Sequence, residues 1–221
     1  MKIINALILL SWAFSYFALY AEAGSTHTFN SGMNCNGVWR LPDTGQTQCY
    51  DSQATPVVGT CPGGGDGSGP AGQDGSYGPA AVQMSYKDNG NGTITDNITG
   101  LMWVKDPKAV CASCPGGYVS SGTYTWEMGL NQCENADYAG FTDWRLPNVR
   151  ELMSIVDYGK TTSPVINTTY FLNTQTDYYW TSTTNTSASD QVWCVYFLNS
   201  FVSSVFKSST KNVRCVRGGT Y

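Results

Sequence analysis

Asp143, Arg145, Arg150 and Glu151 put four charges within nine positions of a chain in which only 13% of residues are charged. Two carboxylates this close are the raw material of acid–base chemistry, one protonating a leaving group while the other, ionised, steers water or attacks. The same spacing also serves local charge balance, in which carboxylates pair with Arg145 and Arg150 and fix the start of a helix. Balance is the commoner use, so these residues are expected to be structural. Triad chemistry needs an imidazole beside a nucleophile, and the one histidine, His27, lies in an irregular N-terminal stretch. The eight cysteines, at 35, 49, 61, 111, 114, 133, 194 and 215, are even in number. Cys111-Ala-Ser-Cys114 supplies half of a zinc pattern, but no second close pair follows, so disulfides in an oxidising compartment are the expected use. Cys49 and Cys61 are spaced to close a small loop, and Cys194 needs a partner among Cys35, Cys111 and Cys114. In the run 88–96 the oxygens of Asp88, Asn91 and Asp96 are spaced like a hard-cation loop. The run lacks a distal bidentate glutamate and Asn91 is neutral, so a plain hairpin turn is expected, with no metal or other cofactor and calcium only as a weak candidate.

The elements that must position these groups fall into three parts. Residues 1–23 read as a signal peptide: Lys2, an apolar run from Ile3 to Tyr20, then Ala21-Glu22-Ala23 as a cleavage site. The expected destination is secreted, periplasmic or the bacterial cell surface, with no stable membrane insertion after cleavage. Residues 24–85 form a Gly/Pro-rich extension, expected to be flexible and to contain the Cys49–Cys61 loop. Residues 86–221 carry the regular signals. Asn-Gly pairs at 89–92 make a tight turn before a short strand at 93–95, and another turn at Gly100 precedes a buried strand at 101–104. Thr125 caps a helix with Trp126, Leu130, Cys133 and Asp137 on one stripe and Gly140 at its end. Pro147 opens a second helix whose apolar stripe is Leu152, Ile155 and Val156. Strands follow at 178–183, 191–198, 202–207 and 211–217, and two helices ahead of a run of strands indicate an α+β domain.

Trp103, Trp126, Trp144, Trp180 and Trp193 are expected in the core. Tyr170, Tyr178, Tyr196 and Phe201 fall where loops meet strands, beside a Thr/Ser/Asn/Tyr-rich stretch at 173–190 of the kind recognition loops favour. Lys207, Lys211, Arg214 and Arg217 follow, with no acidic residue after Asp190. These residues make a candidate site for a glycan, an anionic one included; charge protection of an edge strand is the competing use of the basic residues. The chain as a whole, with 12 basic and 16 acidic side chains, does not look like a nucleic-acid binder.

Six pieces in order carry a family resemblance: 96–103 (Asp-Asn-Ile-Thr-Gly-Leu-Met-Trp), Thr125-Trp126 with Cys133, Asp143-Trp-Arg-Leu-Pro147 with Glu151, 179–183 (Tyr-Trp-Thr-Ser-Thr), Val192-Trp193 to Phe197, and 213–218 (Val-Arg-Cys-Val-Arg-Gly). The chain resembles the bacterial family named for the C-terminal domain of a Legionella collagen-like adhesin (Lcl), over roughly residues 84 to 219. That family is similar to the C-type-lectin-like superfamily, which includes the formylglycine-generating enzymes. The resemblance implies a C-type-lectin-like fold, with two helices packed on twisted antiparallel sheets and stapled by disulfides, in which Cys133 pairs with Cys215. It implies a non-catalytic binding module of a secreted or surface protein, with a glycan or surface protein as partner and oligomers possible. The calcium-ligand sets of sugar-binding relatives are missing, as are the paired reactive cysteines of the oxidase branch. An oxidase-like enzyme and a retroelement-diversified display scaffold, its variable region at 173–212, are the alternatives, with an assembly subunit on a surface appendage as the structural one.

Overall fold

The computed structural model describes residues 42–46, 48, 74, 83–108 and 122–218, all within one compact unit, Trp39–Tyr221. The expected signal segment and Cys35, Cys49, Cys61, Cys111 and Cys114 lie outside the described residues. The elements in order are β1 (Tyr86–Asp88), β2 (Thr93–Asp96), β3 (Met102–Val104), β4 (Thr123–Tyr124), α1 (Trp126–Glu134), α2 (Val149–Met153), β5 (Tyr178–Thr184), β6 (Gln191–Tyr196), β7 (Phe201–Phe206), β8 (Lys211–Asn212) and β9 (Val216–Arg217). The architecture is mixed α+β. Among the described residues no helix is long and apolar enough to cross a membrane.

The strands build two sheets, of order β1-β2-β3-β9 and β4-β8-β5-β6-β7. The segment expected as one strand at 211–217 is in fact two. Lys211–Asn212 belongs to the larger sheet and Val216–Arg217 to the smaller, and the buried link Val213-Arg214-Cys215 passes from one to the other. Alternation along β5 and β6 sends side chains to two cores. On one face Trp180, Val192 and Cys194 join Tyr124, Cys133, Trp144 and Leu146. On the other, Tyr179, Val195 and Phe197 join Trp103, Leu152, Ile155, Val156 and Phe171. Helix α1 supplies the first core through Cys133, and α2 the second through Leu152. The Cys133–Cys215 disulfide, across 82 positions, ties α1 to the link between the sheets.

Both helices are shorter than their patterns imply. Thr125 caps α1 as expected, its hydroxyl accepting from the Met128 amide. The helix stops at Glu134, however, with Asn135 at its end. Asp137 is exposed, and Gly140, at φ +81°, serves the tight Tyr138–Phe141 turn instead. In α2 the start, Val149, is two residues later than Pro147 suggests. Asn148 accepts from the Glu151 amide at 2.9 Å while Glu151 accepts from the Asn148 amide at 2.8 Å, a reciprocal cap that sets the first turn.

The extension also departs from expectation at one place. The Tyr158 amide donates to the Thr44 carbonyl at 2.8 Å, and a Cβ at Gly159 would stand 1.9 Å from the Gly45 carbonyl oxygen. Residues 42–46 are therefore seated against the chain that follows α2, and only glycine at 159 allows that approach. Of the five tryptophans expected in the core, three are fully buried, Trp103, Trp144 and Trp180. Trp126 and Trp193 are half-buried, because Trp126 opens α1 with its indole N–H turned to the Thr181 carbonyl, 2.9 Å away, and Trp193 lies one strand from the sheet edge.

Candidate ligand-binding site

The corner that holds the larger sheet in place is Asp143–Glu151. Arg145 pairs with Val216 through backbone bonds of 2.9 Å in both directions. Its guanidinium grips Glu151 with two bonds of 2.8 and 2.7 Å and the Gly218 carbonyl at 3.0 Å. Glu151 is only 5% exposed, so the pair is a fixed bracket rather than a surface contact. Asp143 does not pair with Arg145 or Arg150 as expected; it binds Arg217 at 2.7 and 3.1 Å, and that guanidinium lies 3.7 Å from the Phe141 ring centre. The Arg217 bond holds the Asp143 carboxyl below the usual carboxylate range. The two carboxylates thus serve two different arginines.

From this corner a register irregularity in β5 between Trp180 and Thr184 reaches the helix start. The Ser182 amide donates to the Pro147 carbonyl at 2.8 Å, and Thr183 Oγ1 accepts from the Val149 amide at 3.1 Å. The corner therefore fixes β5 from outside, and β5 fixes its neighbours. Tyr178 stands opposite Tyr196 on β6, and Tyr196 opposite Phe201 on β7. Paired residues of an antiparallel ladder share a face, so the three rings make a row. Tyr178 and Tyr196 stack at 4.2 Å with 14° between their planes. The row is extended onto β8 by Lys211, whose ammonium sits 5.2 Å from the Tyr178 ring centre. Phe201, at the open end, is 65% exposed.

The remaining candidates are scattered. Tyr170 packs on Tyr86 at 5.6 Å, beside the second core and outside the row. Lys207 lies 4.3 Å above the Trp126 ring. Arg214 is not part of any surface patch: it is 1% exposed. Its guanidinium donates to the carbonyls of Val104, Lys105 and Leu172 and to Thr174 Oγ1 at 2.6 to 3.0 Å, clamping three chain segments. Alternation between strand residues could not reveal this, because 213–215 is a crossing segment in which consecutive residues are all buried.

The three calcium candidates spend their oxygens locally. Asp88 holds Lys105 at 2.5 Å and the Gly90 amide, and the Lys105 bond lowers its pKa. Asn91 accepts from the Thr93 amide and hydroxyl, and Asp96 from Ile98, Thr99 and the Thr99 hydroxyl. These are turn-capping bonds of the hairpin. Among the described residues no group of three or more His, Cys, Asp or Glu side chains is placed to hold a metal ion.

Cys194 corrects another expectation. It is a free thiol, buried and donating weakly to the Val192 carbonyl at 3.6 Å, and burial pushes its pKa up to about 12. Its place on the inward face of β6 makes it a small core residue.

A family model of the Lcl C-terminal domain matches residues 92–217, from the turn after β1 to the end of β9. No curated protein matches the chain. The matched span holds the Arg145–Glu151 bracket, the Cys133–Cys215 disulfide and the aromatic row, and covers more than half of the 221 residues; the chain belongs to the Lcl C-terminal domain family.

Proposed function

We propose that the chain is a non-catalytic binding module of a secreted or surface protein, of adhesin type, and that it holds a glycan against the row Lys211–Tyr178–Tyr196–Phe201. The single observation carrying this reading is that row, running across four adjacent strands and ending in a phenylalanine that is 65% exposed. Stacked tyrosines present rigid rims and hydroxyls at little entropic cost, the open phenyl face offers apolar area to sugar C–H groups, and the lysine supplies a charge-assisted donor. Family membership supports a surface role. The C-type-lectin-like form of the fold belongs to the same proposal, supported by two helices, two sheets and a disulfide from the first helix to the last strands.

The absence of catalysis is part of the proposal. Its support is that Asp143 and Glu151 are each engaged by an arginine in an ion pair that holds the fold. A glycan array probed with the purified full-length chain should give hits, and Phe201→Ala and Lys211→Ala should each weaken them roughly tenfold, about 1.4 kcal/mol. Hits unaltered by both substitutions would place the ligand elsewhere.

A further inference from the structure

The larger sheet ends on β7, and among the described residues no strand pairs with its outer edge. Exposed edges are ordinarily blunted by charge, proline or a bulge. The sequence of β7, Phe-Val-Ser-Ser-Val-Phe, contains neither charge nor proline, and its register with β6 is unbroken from Phe201 to Phe206. Phe201 and Phe206 are 65% and 53% exposed. Such an edge is a template for another strand.

The direction of the backbone says which strand fits. The Lys207 amide donates inward to the Asp190 carbonyl at 2.9 Å. In an antiparallel ladder the amide and carbonyl of one residue point to the same side and alternate along the strand. Residues 201, 203, 205 and 207 therefore bond toward β6, and Val202, Ser204 and Phe206 direct their backbone groups outward. These three are symmetric about Ser204.

We propose that β7 pairs with β7 of a second copy of this chain, antiparallel, across a two-fold axis through Ser204. Ser204 then faces Ser204 of the second copy, exchanging two backbone bonds, and Val202 faces Phe206 at each end. The Phe206 amides reach the Val202 carbonyls; the Phe206 carbonyl, which already accepts from the Ser209 amide at 2.9 Å, has one lone pair left for the opposite bond. Side chains agree with the backbone. Val202 and Phe206 meet on one face, and on the other Phe201 stands opposite Lys207 of the second copy, a cation beside an exposed ring.

No neighbouring register does as well. An axis between Ser203 and Ser204, the centre of the sequence palindrome, would oppose residues from opposite faces. An axis through Ser203 would leave Ser203 as a non-hydrogen-bonded pair and bond Val202 only to Ser204, with Phe206 facing Ser200, which lies outside the strand at φ +65°. The Ser204 axis joins two five-stranded sheets into one of ten strands and sets each aromatic row beside a lysine of the other copy. This isologous contact is self-complementary, as a two-fold interface must be. It stands independently of the glycan reading, since assembly needs no ligand.

Sedimentation equilibrium of the purified full-length chain over a concentration series tests it. The native chain should dimerise. Ser204→Pro removes the outward amide and keeps the backbone bonds to β6, losing only the Ser204 hydroxyl's bond to Gln191 Oε1 at 2.6 Å, and should weaken association at least roughly tenfold while near-ultraviolet circular dichroism stays native. Phe206→Lys, an exposed position, should do the same if the proline variant does not fold. Under mild oxidation Ser204→Cys should give a disulfide-linked dimer, since residues paired in this way are about 5.5 Å apart at Cα, and Ser203→Cys should give far less. A monomer at every concentration overturns the proposal. So does a dimer unaffected by Ser204→Pro and Phe206→Lys, or one cross-linked more readily through position 203.

Discussion

Arg145 shows how a charged residue can look catalytic and be architectural. Its guanidinium is bound on one side by a nearly buried carboxylate and on the other by the Gly218 carbonyl. Arg145→Ala leaves Glu151 buried without its counter-charge, and equilibrium unfolding in urea should show a loss of about 3 kcal/mol. The Asp143–Arg217 pair is different, because the Asp143 carboxylate is 58% exposed. Its folded-state pKa is depressed by Arg217, so its contribution to stability is present above the unfolded value, about 4, and fades as pH falls through the lower folded value. In Arg217→Ala, an NMR pH titration should find the Asp143 pKa risen toward the ordinary carboxylate range; no change would mean that the pair does not set it. Local charge balance was legible from the spacing of these charges, and the Arg145–Glu151 pair bears it out. Their partners were not, because Arg217 lies 74 positions from Asp143 and long-range links such as the Arg145–Val216 bridge and the Cys133–Cys215 disulfide bring that region together. Cys194 was misjudged for a related reason: parity counting treats a thiol in an oxidising compartment as half of a disulfide, whereas its position on the inward face of β6 makes it a core side chain. It should resist thiol reagents in the native protein and react once the protein is unfolded in guanidinium.

At the scale of elements, boundaries were set by polar side chains more than by apolar stripes. The stripe read for α1 ran on to Asp137, but helix formation ends where Asn135 bonds back to the Asn131 carbonyl. For α2 the proline signal was close, and the reciprocal cap of Asn148 and Glu151 decided the start. Asn148→Ala should cost about 1 kcal/mol in thermal or urea unfolding, with additional loosening where β5 contacts Pro147 and Val149. Most strands were readable from turn residues and alternation. The segment 211–217 was not, because a chain that changes sheets buries Val213, Arg214 and Cys215 in succession and so reads like one continuous inner strand.

Across the whole molecule, the disulfide and the corner share one task, which is to bind the chain's later strands to its helices, the disulfide to α1 and the corner to α2. Removing the link by replacing Cys133 and Cys215 together with alanine should lower stability by about 4 kcal/mol in the chain-entropy account, measured by denaturation under non-reducing conditions. The mixed α+β class and the Cys133–Cys215 pair were legible, the second through family resemblance rather than spacing. The site was legible only in part. Tyr178, Tyr196, Phe201 and Lys211 form one row, while Tyr170, Lys207 and Arg214 serve elsewhere, because cross-strand register decides which loop-flanking residues meet and no sequence window spans four strands. This row is the proposed ligand surface. It is tested most directly by calorimetric titration of an array-identified glycan into the native chain, the Phe201→Ala, Lys211→Ala double variant and, as control, Tyr158→Ala at an exposed tyrosine outside the row. Native affinity is expected for the control and a loss of roughly a hundredfold, about 2.7 kcal/mol, for the double variant. Equal affinity in all three proteins would contradict it.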